Sequence, residues 1–164
     1  MKLINENLIL LDMNLQSKDD IISCIADTLE NNQRLCDKQQ YIDDVYSRED
    51  EISTAMGSSI AIPHALSLGV RHTSLVFLRL QNPIQWDDDQ VQMVFGIAVR
   101  KENSGNEHLR ILSNLARKLM DLGFTNALLH SDNPDGCLQL LEQLPSAIKA
   151  VNDPLAFDRG QFPQ

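Results

Sequence analysis

Paired cysteines, an excess of positive charge and a long hydrophobic run are all missing from this sequence. Cys24, Cys36 and Cys137 are odd in number and none sits in a CxxC, which argues against a disulfide framework and against a zinc site. Cys24, within an apolar run, is expected in the core. The net charge of −9 argues against general nucleic-acid binding, because phosphate backbones call for clustered Lys and Arg. Docking on a basic protein partner stays open. No apolar stretch approaches the roughly 20 residues that a bilayer span needs, and the N-terminus has one lysine but no apolar segment of a signal peptide. The chain is therefore expected to be cytoplasmic, without direct membrane insertion. Also missing are internal repeats, low-complexity tracts and the GxxxxGK[ST] of a P-loop, so nucleotide binding is not indicated.

What is there reads as one globular domain. The chain has 164 residues, 43% hydrophobic and 23% charged, an ordinary balance with enough length for a core. An apolar run at 8–13 predicts a strand. Ser17 predicts a helix N-cap with Asp19 and Asp20 in the first turn, and Ile21, Ile22, Ile25, Ala26 and Leu29 follow helical spacing to about Asn31-Asn32. A second helix is expected over 37–49, with Tyr41, Ile42, Val45 and Tyr46 inward, then a loop over 50–59. Ile60-Ala61-Ile62 predicts a short buried strand that Pro63 must stop. Strands are expected at 73–80 and 91–99, with Asn82-Pro83 turning the chain between them. A polar loop at 101–106 leads to an amphipathic helix at 107–121 whose buried stripe is Leu109, Leu112, Leu115, Ala116 and Leu119. Two shorter helices are expected at 124–130 and 134–143. The periodicity fades after Pro145, which sets a domain at 1–150 and a loosely ordered tail at 151–164.

Strands mixed with helices make this an α/β protein. The link at 81–90 is too short for a helical crossover, so the central sheet should be mixed.

His64 is the first candidate for chemistry. It follows a buried strand and a proline that restrains the backbone, so its imidazole is presented with little freedom, as suits a nucleophile. Local geometry alone favours the plainer reading, a satisfied histidine that ends a strand. His108 stands at the start of the 107–121 helix, with Leu112 and Leu115 below it on about the same face and helix N–H groups nearby that favour an anion; a surface histidine is the plainer alternative. Arg48 ends the second helix and could grip a phosphate with two prongs, although a single solvated arginine is commoner. Glu49 and Glu51 carry less signal still. Thr54 and the loop up to Ser59 could donate hydroxyl and N–H groups, and Gly57 permits close backbone approach. His72 and His130 are assigned to surface or structure, Asp87-Asp88-Asp89 to a solvated turn rather than a metal site, and Trp86 to packing near that turn.

These residues together resemble a known family. Ser47-Arg48-Glu49, Ser53-Thr54, Gly57 and Ile60-Ala61-Ile62-Pro63-His64-Ala65 resemble the signature of the fructose/mannitol/nitrogen-type (type-2) enzyme IIA domains of the sugar phosphotransferase system. Pro83-Ile84-Gln85-Trp86-Asp87, the strand to Val99, and Glu107-His108-Leu109 with Leu112 and Leu115 resemble its later blocks. The likeness covers about residues 5–144. It implies a mixed sheet with helices on both faces, His64 as the phosphorylated nucleophile, Arg48 and His108 flanking the phosphoryl group, and Thr54 and Gly57 in a phosphoryl-stabilising loop, with no metal and no cofactor. The implied donor is HPr, and the implied acceptor is an enzyme IIB cysteine working beside a membrane IIC. Without a cysteine in a phosphate-cradling loop, the chain is expected to be a stand-alone IIA. The resemblance leaves two roles open: sugar uptake of fructose or mannitol type, and a nitrogen-type regulator that controls partners by its phosphorylation state. A phosphate-inert interaction module is the rival from another class, and joint retention of His64, Arg48 and His108 speaks against it.

Overall fold

The computed structural model describes residues 1–101 and 106–142, and for residues 107 and 108 the backbone alone. The tail expected at 151–164, the domain end expected at 150 and most of the 101–106 loop lie outside the described residues. The chain forms two compact units that meet in sequence at Gly105 and Asn106.

The first unit is a six-stranded mixed sheet with two helices. Its strands are β1 (Ile9–Met13), β2 (Ala55–Gly57), β3 (Ile60–Ala61), β4 (His64–Ser67), β5 (Ser74–Trp86) and β6 (Asp89–Arg100); its helices are α1 (Lys18–Asn31) and α2 (Lys38–Glu51). The order is β1-β5-β6-β3-β2, with β4 also on β6. β1 lies parallel to β5, β5 antiparallel to β6, and β3 and β4 parallel to β6. Both helices start where side-chain oxygens cap free N–H groups: Ser17 Oγ accepts from the Asp20 amide at 3.0 Å and Asp37 Oδ1 from that of Gln40 at 3.1 Å. The β5–β6 hairpin is the core. Val76, Phe77, Leu78, Val94, Phe95, Ile97 and Ala98 are fully buried, and Phe77 and Phe95, directly opposite, hold their rings 5.1 Å apart.

Several sequence expectations change here. The chain does not turn at Asn82-Pro83. Both residues are exposed in a bulge where the β5–β6 register shifts, and buried Ile84 and Trp86 draw the strand on to a reversal at Asp87-Asp88, with Asp87 left-handed at φ 54°. Proline lacks the N–H a ladder needs, and the bulge is where none is required. The loop expected over 50–59 contains the end of α2 and β2. Pro63 does not end the sheet pairing. Ile60 faces Met93, Ala61 faces Val94 and His64 faces Ile97, a constant offset, and the Pro63 carbonyl still accepts from the Ile97 amide at 3.0 Å. His64 therefore opens β4 within the sheet rather than hanging from a strand end. Ile42 and Tyr46 are half-buried beside buried Tyr41 and Val45, and Cys24 is half-buried at the edge of the α1 stripe.

The second unit contains α3 (Glu107–Leu119), α4 (Leu122–His130) and α5 (Pro134–Leu141). Its buried stripe is rotated from the expected one. Leu109 is 54% exposed and Leu112 and Ala116 are half-buried, while Ile111, Asn114, Leu115 and Leu119 are buried. Asn114 can be buried because its amide donates to the Arg110 carbonyl at 2.8 Å, leaving little polar group unsatisfied. Cys137 is the cysteine that is fully buried.

Candidate functional site

His64 sits half-buried at the first position of β4. Its Nδ1 lies 2.8 Å from the Ile62 carbonyl oxygen, two residues back across Pro63. A carbonyl only accepts, so Nδ1 carries the proton and, in the neutral ring, the lone pair belongs to Nε2. The two ring nitrogens thus differ: Nδ1–H fixes the ring against the Ile62 carbonyl and Nε2 keeps the lone pair.

Backbone geometry builds the surroundings. The Ile62 amide donates to the Thr54 carbonyl at 3.1 Å, which ties the segment before the histidine to the segment after α2. Gly57, Ser58 and Ser59 follow in left-handed conformation at φ 80°, 56° and 65°. Glycine takes this freely, whereas two serines there store strain. The Ser59 carbonyl accepts from the Gln92 and Met93 amides at 2.9 and 3.1 Å, which holds the turn against β6.

Arg48, half-buried in the last turn of α2, donates from a guanidinium nitrogen to the Ile52 carbonyl at 2.8 Å. Thr54 is buried, at 7% exposed, and its hydroxyl donates to Glu49 Oε2. Of the five residues singled out in the sequence, His64, Arg48, Thr54 and Gly57 belong to the first unit. His108 is the second residue of α3, in the second unit, and its side chain is not described. His72 is half-buried and His130 exposed. Among the described residues, no group of three or more His, Cys, Asp or Glu side chains could hold a metal ion, and no helix is long and apolar enough to cross a membrane.

Sequence reasoning missed the polar cluster beneath the site. The Glu49 side chain is 1% exposed. It accepts from Lys18 Nζ at 2.9 Å, Trp86 Nε1 at 3.3 Å, the Thr54 amide at 3.4 Å and the Thr54 hydroxyl. Lys18 also reaches Asp87 at 3.0 Å and lies 5.4 Å over the Trp86 ring. Burial alone would lower the Lys18 pKa, but hydrogen bonds and charge from Glu49 and Asp87 together hold it above the ordinary lysine value. The Ser53 hydroxyl and then Lys18 hold Asp87 below the usual carboxylate range. The available signal was periodic: Tyr41, Val45 and Glu49 fall at i, i+4 and i+8, so a carboxylate occupies a place on the buried stripe.

The chain aligns with proteins of known kind. The family model for the phosphoenolpyruvate-dependent sugar phosphotransferase system, EIIA 2, matches residues 2–144. Multiphosphoryl transfer protein 2 of Escherichia coli (strain K12) is 32% identical over 140 residues, 85% of this chain and 17% of that protein. The chain thus spans about a sixth of the length of the multiphosphoryl transfer proteins it matches. Nitrogen regulatory protein IIA-Ntr from Neisseria meningitidis superposes with a TM-score of 0.73 at 25% identity, covering 85% of this chain and 96% of that one. The enzyme IIAMTL complex with phosphorylated enzyme IIBMTL from Escherichia coli gives 0.72 at 28% identity, covering 87% and 98%. A mixed sheet with these helices, matched to the family over nearly its whole described length, makes this chain a member of the type-2 EIIA family of the phosphoenolpyruvate-dependent sugar phosphotransferase system, a phosphocarrier component.

Proposed function

We propose that this chain accepts a phosphoryl group on Nε2 of His64 from HPr and passes it to a cysteine of an enzyme IIB beside a membrane IIC, in sugar uptake of the fructose or mannitol type. The observation that carries the reading is the 2.8 Å contact from Nδ1 to the Ile62 carbonyl. It leaves the attacking lone pair on Nε2 and stabilises the positive character that the ring gains as the new bond forms. In the transfer, Nε2 attacks the donor's phosphorus in line, the N–P bond of the donor phosphohistidine breaks, and its imidazole leaves with the electron pair. The Nδ1 proton stays against the Ile62 carbonyl throughout. In the second step a IIB thiolate forms the S–P bond as the Nε2–P bond breaks. Arg48, His108 and N–H groups of the segment with Thr54 and Gly57 balance charge on the equatorial oxygens. No metal or cofactor enters the scheme.

A second role has support from the superposition on the nitrogen regulatory protein: the same histidine chemistry serving as a switch for binding other proteins. One experiment separates the roles. The chain is incubated with enzyme I, HPr and phosphoenolpyruvate, and followed by intact mass at neutral pH and peptide mapping. His64→Ala should take up no label. His108→Ala should be labelled at His64 roughly 100-fold more slowly or worse, the loss of one preorganised donor. Drainage of the label by a fructose- or mannitol-type IIB supports transport; a stable label that changes capture of other proteins supports regulation. Label on His108 in the unmodified chain, or label surviving in His64→Ala, overturns the site assignment.

A further inference from the structure

The transfer scheme leaves the buried Glu49 carboxylate without a task. It lies between three separate pieces of chain: Lys18 at the start of α1, Trp86 before the hairpin reversal, and Thr54 after α2. From Thr54 the contacts continue in one direction. The Thr54 carbonyl accepts from the Ile62 amide at 3.1 Å, and the Ile62 carbonyl accepts from His64 Nδ1 at 2.8 Å. On its other side Glu49 adjoins Arg48, whose guanidinium rests on the Ile52 carbonyl at 2.8 Å. The short segment 52–54 is therefore tied to Glu49 at Thr54, takes the Arg48 guanidinium at Ile52, and reaches the His64 anchor through the Thr54 carbonyl. Ser53 adds a tie to Asp87. A packing role alone would not call for a charge there, since a buried ion pair contributes little net stability over apolar side chains of similar volume.

We propose that Glu49 is a positioning residue for phosphoryl transfer: through Thr54 and Ile62 it sets the tautomer and orientation of His64, and through residues 52–54 it sets the place of the Arg48 guanidinium. The proposal rests on His64 being the phosphoryl acceptor. Glu49 touches neither the phosphoryl group nor the reacting nitrogen. Lys18 is its counter-charge, and Trp86 gives it a fixed neutral donor.

The test uses the full chain with Glu49→Ala, Glu49→Gln and Thr54→Val. Each is measured for its thermal midpoint, for the initial rate of labelling from phosphorylated HPr, and for the His64 tautomer by long-range proton–nitrogen correlation NMR. The expected result for Glu49→Ala and Thr54→Val is a fall in labelling rate of at least about tenfold, toward the roughly 100-fold that an ångström of misplacement costs, with a smaller share of the Nδ1–H tautomer. Glu49→Gln keeps an acceptor oxygen and should recover part of both. Thr54→Val leaves the carboxylate and its lysine in place, so it decides the matter if Glu49→Ala does not fold. Folded variants with rates within about twofold of the parent would sink the proposal. So would a rate loss that follows the thermal midpoint while the tautomer stays unmoved. Absence of label on His64 in the unmodified chain refutes the functional reading instead, and the tautomer measurement then still decides whether Glu49 orients the ring.

Discussion

Replacing Gly69 with alanine should separate the second helix from the strand that carries His64. A Cβ built on Gly69 would stand 2.4 Å from the Asp37 carbonyl oxygen, 3.0 Å from the Tyr41 nitrogen and 3.1 Å from Gln40 Cβ. Two of these are backbone atoms of the first turn of α2, so no rotamer change relieves them. The shortest contact must lengthen by at least 0.6 Å merely to reach 3.0 Å. The same glycine's carbonyl accepts from the Cys36 and Asp37 amides at 2.8 and 3.1 Å, and its amide donates to Ser67 Oγ at 3.0 Å, so the shift also stretches the bonds that dock the helix start. Overpacking of this kind costs about 1–3 kcal/mol, and the backbone clash argues for the upper half. Against it, alanine narrows the unfolded ensemble by about 0.4–1 kcal/mol, and Gly69 is not in the left-handed region, so no backbone strain is added. The net expectation is about 2 kcal/mol, or a midpoint lowered by roughly 4–8 °C in a chain of this size. Urea denaturation and a thermal scan measure it. Because α2 carries Arg48 and β4 carries His64, the labelling rate from HPr should fall too. A midpoint within 1 °C of the parent would refute the close approach. Gly57→Ala is the contrast: nothing lies within 4 Å of its Cβ, and its φ of 80° is the whole penalty, so it should cost about 1–2 kcal/mol without moving α2.

Other perturbations follow from the same contacts. Lys18→Met leaves the Glu49 carboxylate buried without its cation and should cost about 3–5 kcal/mol. In the parent, the raised Lys18 value means stability is full below the unfolded lysine pKa and is lost as pH rises through the folded one; this alkaline loss should vanish in Lys18→Met melts. Asp87 has the opposite sign: its folded value is lowered, so its stability is present above the unfolded carboxylate pKa and lost as pH falls through the folded one, and Asp87→Asn should flatten the acid arm of the same melts. Trp86→Phe replaces the fully buried indole by a smaller ring without the N–H that Glu49 accepts; losing the donor should cost about 1–3 kcal/mol in urea, with a further loss from the cavity left behind. With the three cysteines changed to alanine, labelling of His64 should persist, and any loss of stability should trace to buried Cys137 rather than to Cys24 or Cys36; loss of labelling in the folded variant would contradict the scheme. A chain ending at Val151 should be labelled at the parent rate, because the apolar periodicity fades before that point.

Where residues signal through their neighbours in sequence, the fold was legible. Ser17 capped α1 as read, and the short polar link between two apolar runs gave an antiparallel hairpin and hence a mixed sheet. Signals that depend on partners across the sheet were not. Asn82-Pro83 looks like a turn only until Ile84 and Trp86 find a buried face, and 55–57 looks like a loop until Ala61 offers it a ladder. The helix at 107–119 shows why composition misleads: several leucines compete for the stripe, and the packing partner chose Ile111 and Leu115 over Leu109. At the proposed site, the motif named His64 and Arg48 as candidates, but which group meets Nδ1 was not legible, since a carbonyl two residues away has no letter of its own. Glu49 was passed over because a carboxylate is ordinarily solvated, and only a lysine 31 residues upstream and a tryptophan 37 downstream make its burial tolerable.

The unbroken offset between β6 and the β3–β4 line has a consequence for lineage and for engineering. Along β4 the pattern alternates, with His64 and Leu66 half-buried and Ala65 and Ser67 buried, so the face on which the imidazole emerges is a matter of odd or even count. Deleting or inserting one residue between Ile60 and His64 moves the histidine to the opposite face of the sheet, while every letter of the motif survives. Two residues restore the face but carry the ring about 6.6 Å along the strand, away from the Ile62 carbonyl and the segment that Glu49 holds. Substitution is thus far better tolerated here than any change of length, and functional insertions in this fold should gather in the β5–β6 reversal at Asp87-Asp88 and beyond Arg100, where no parity has to be kept.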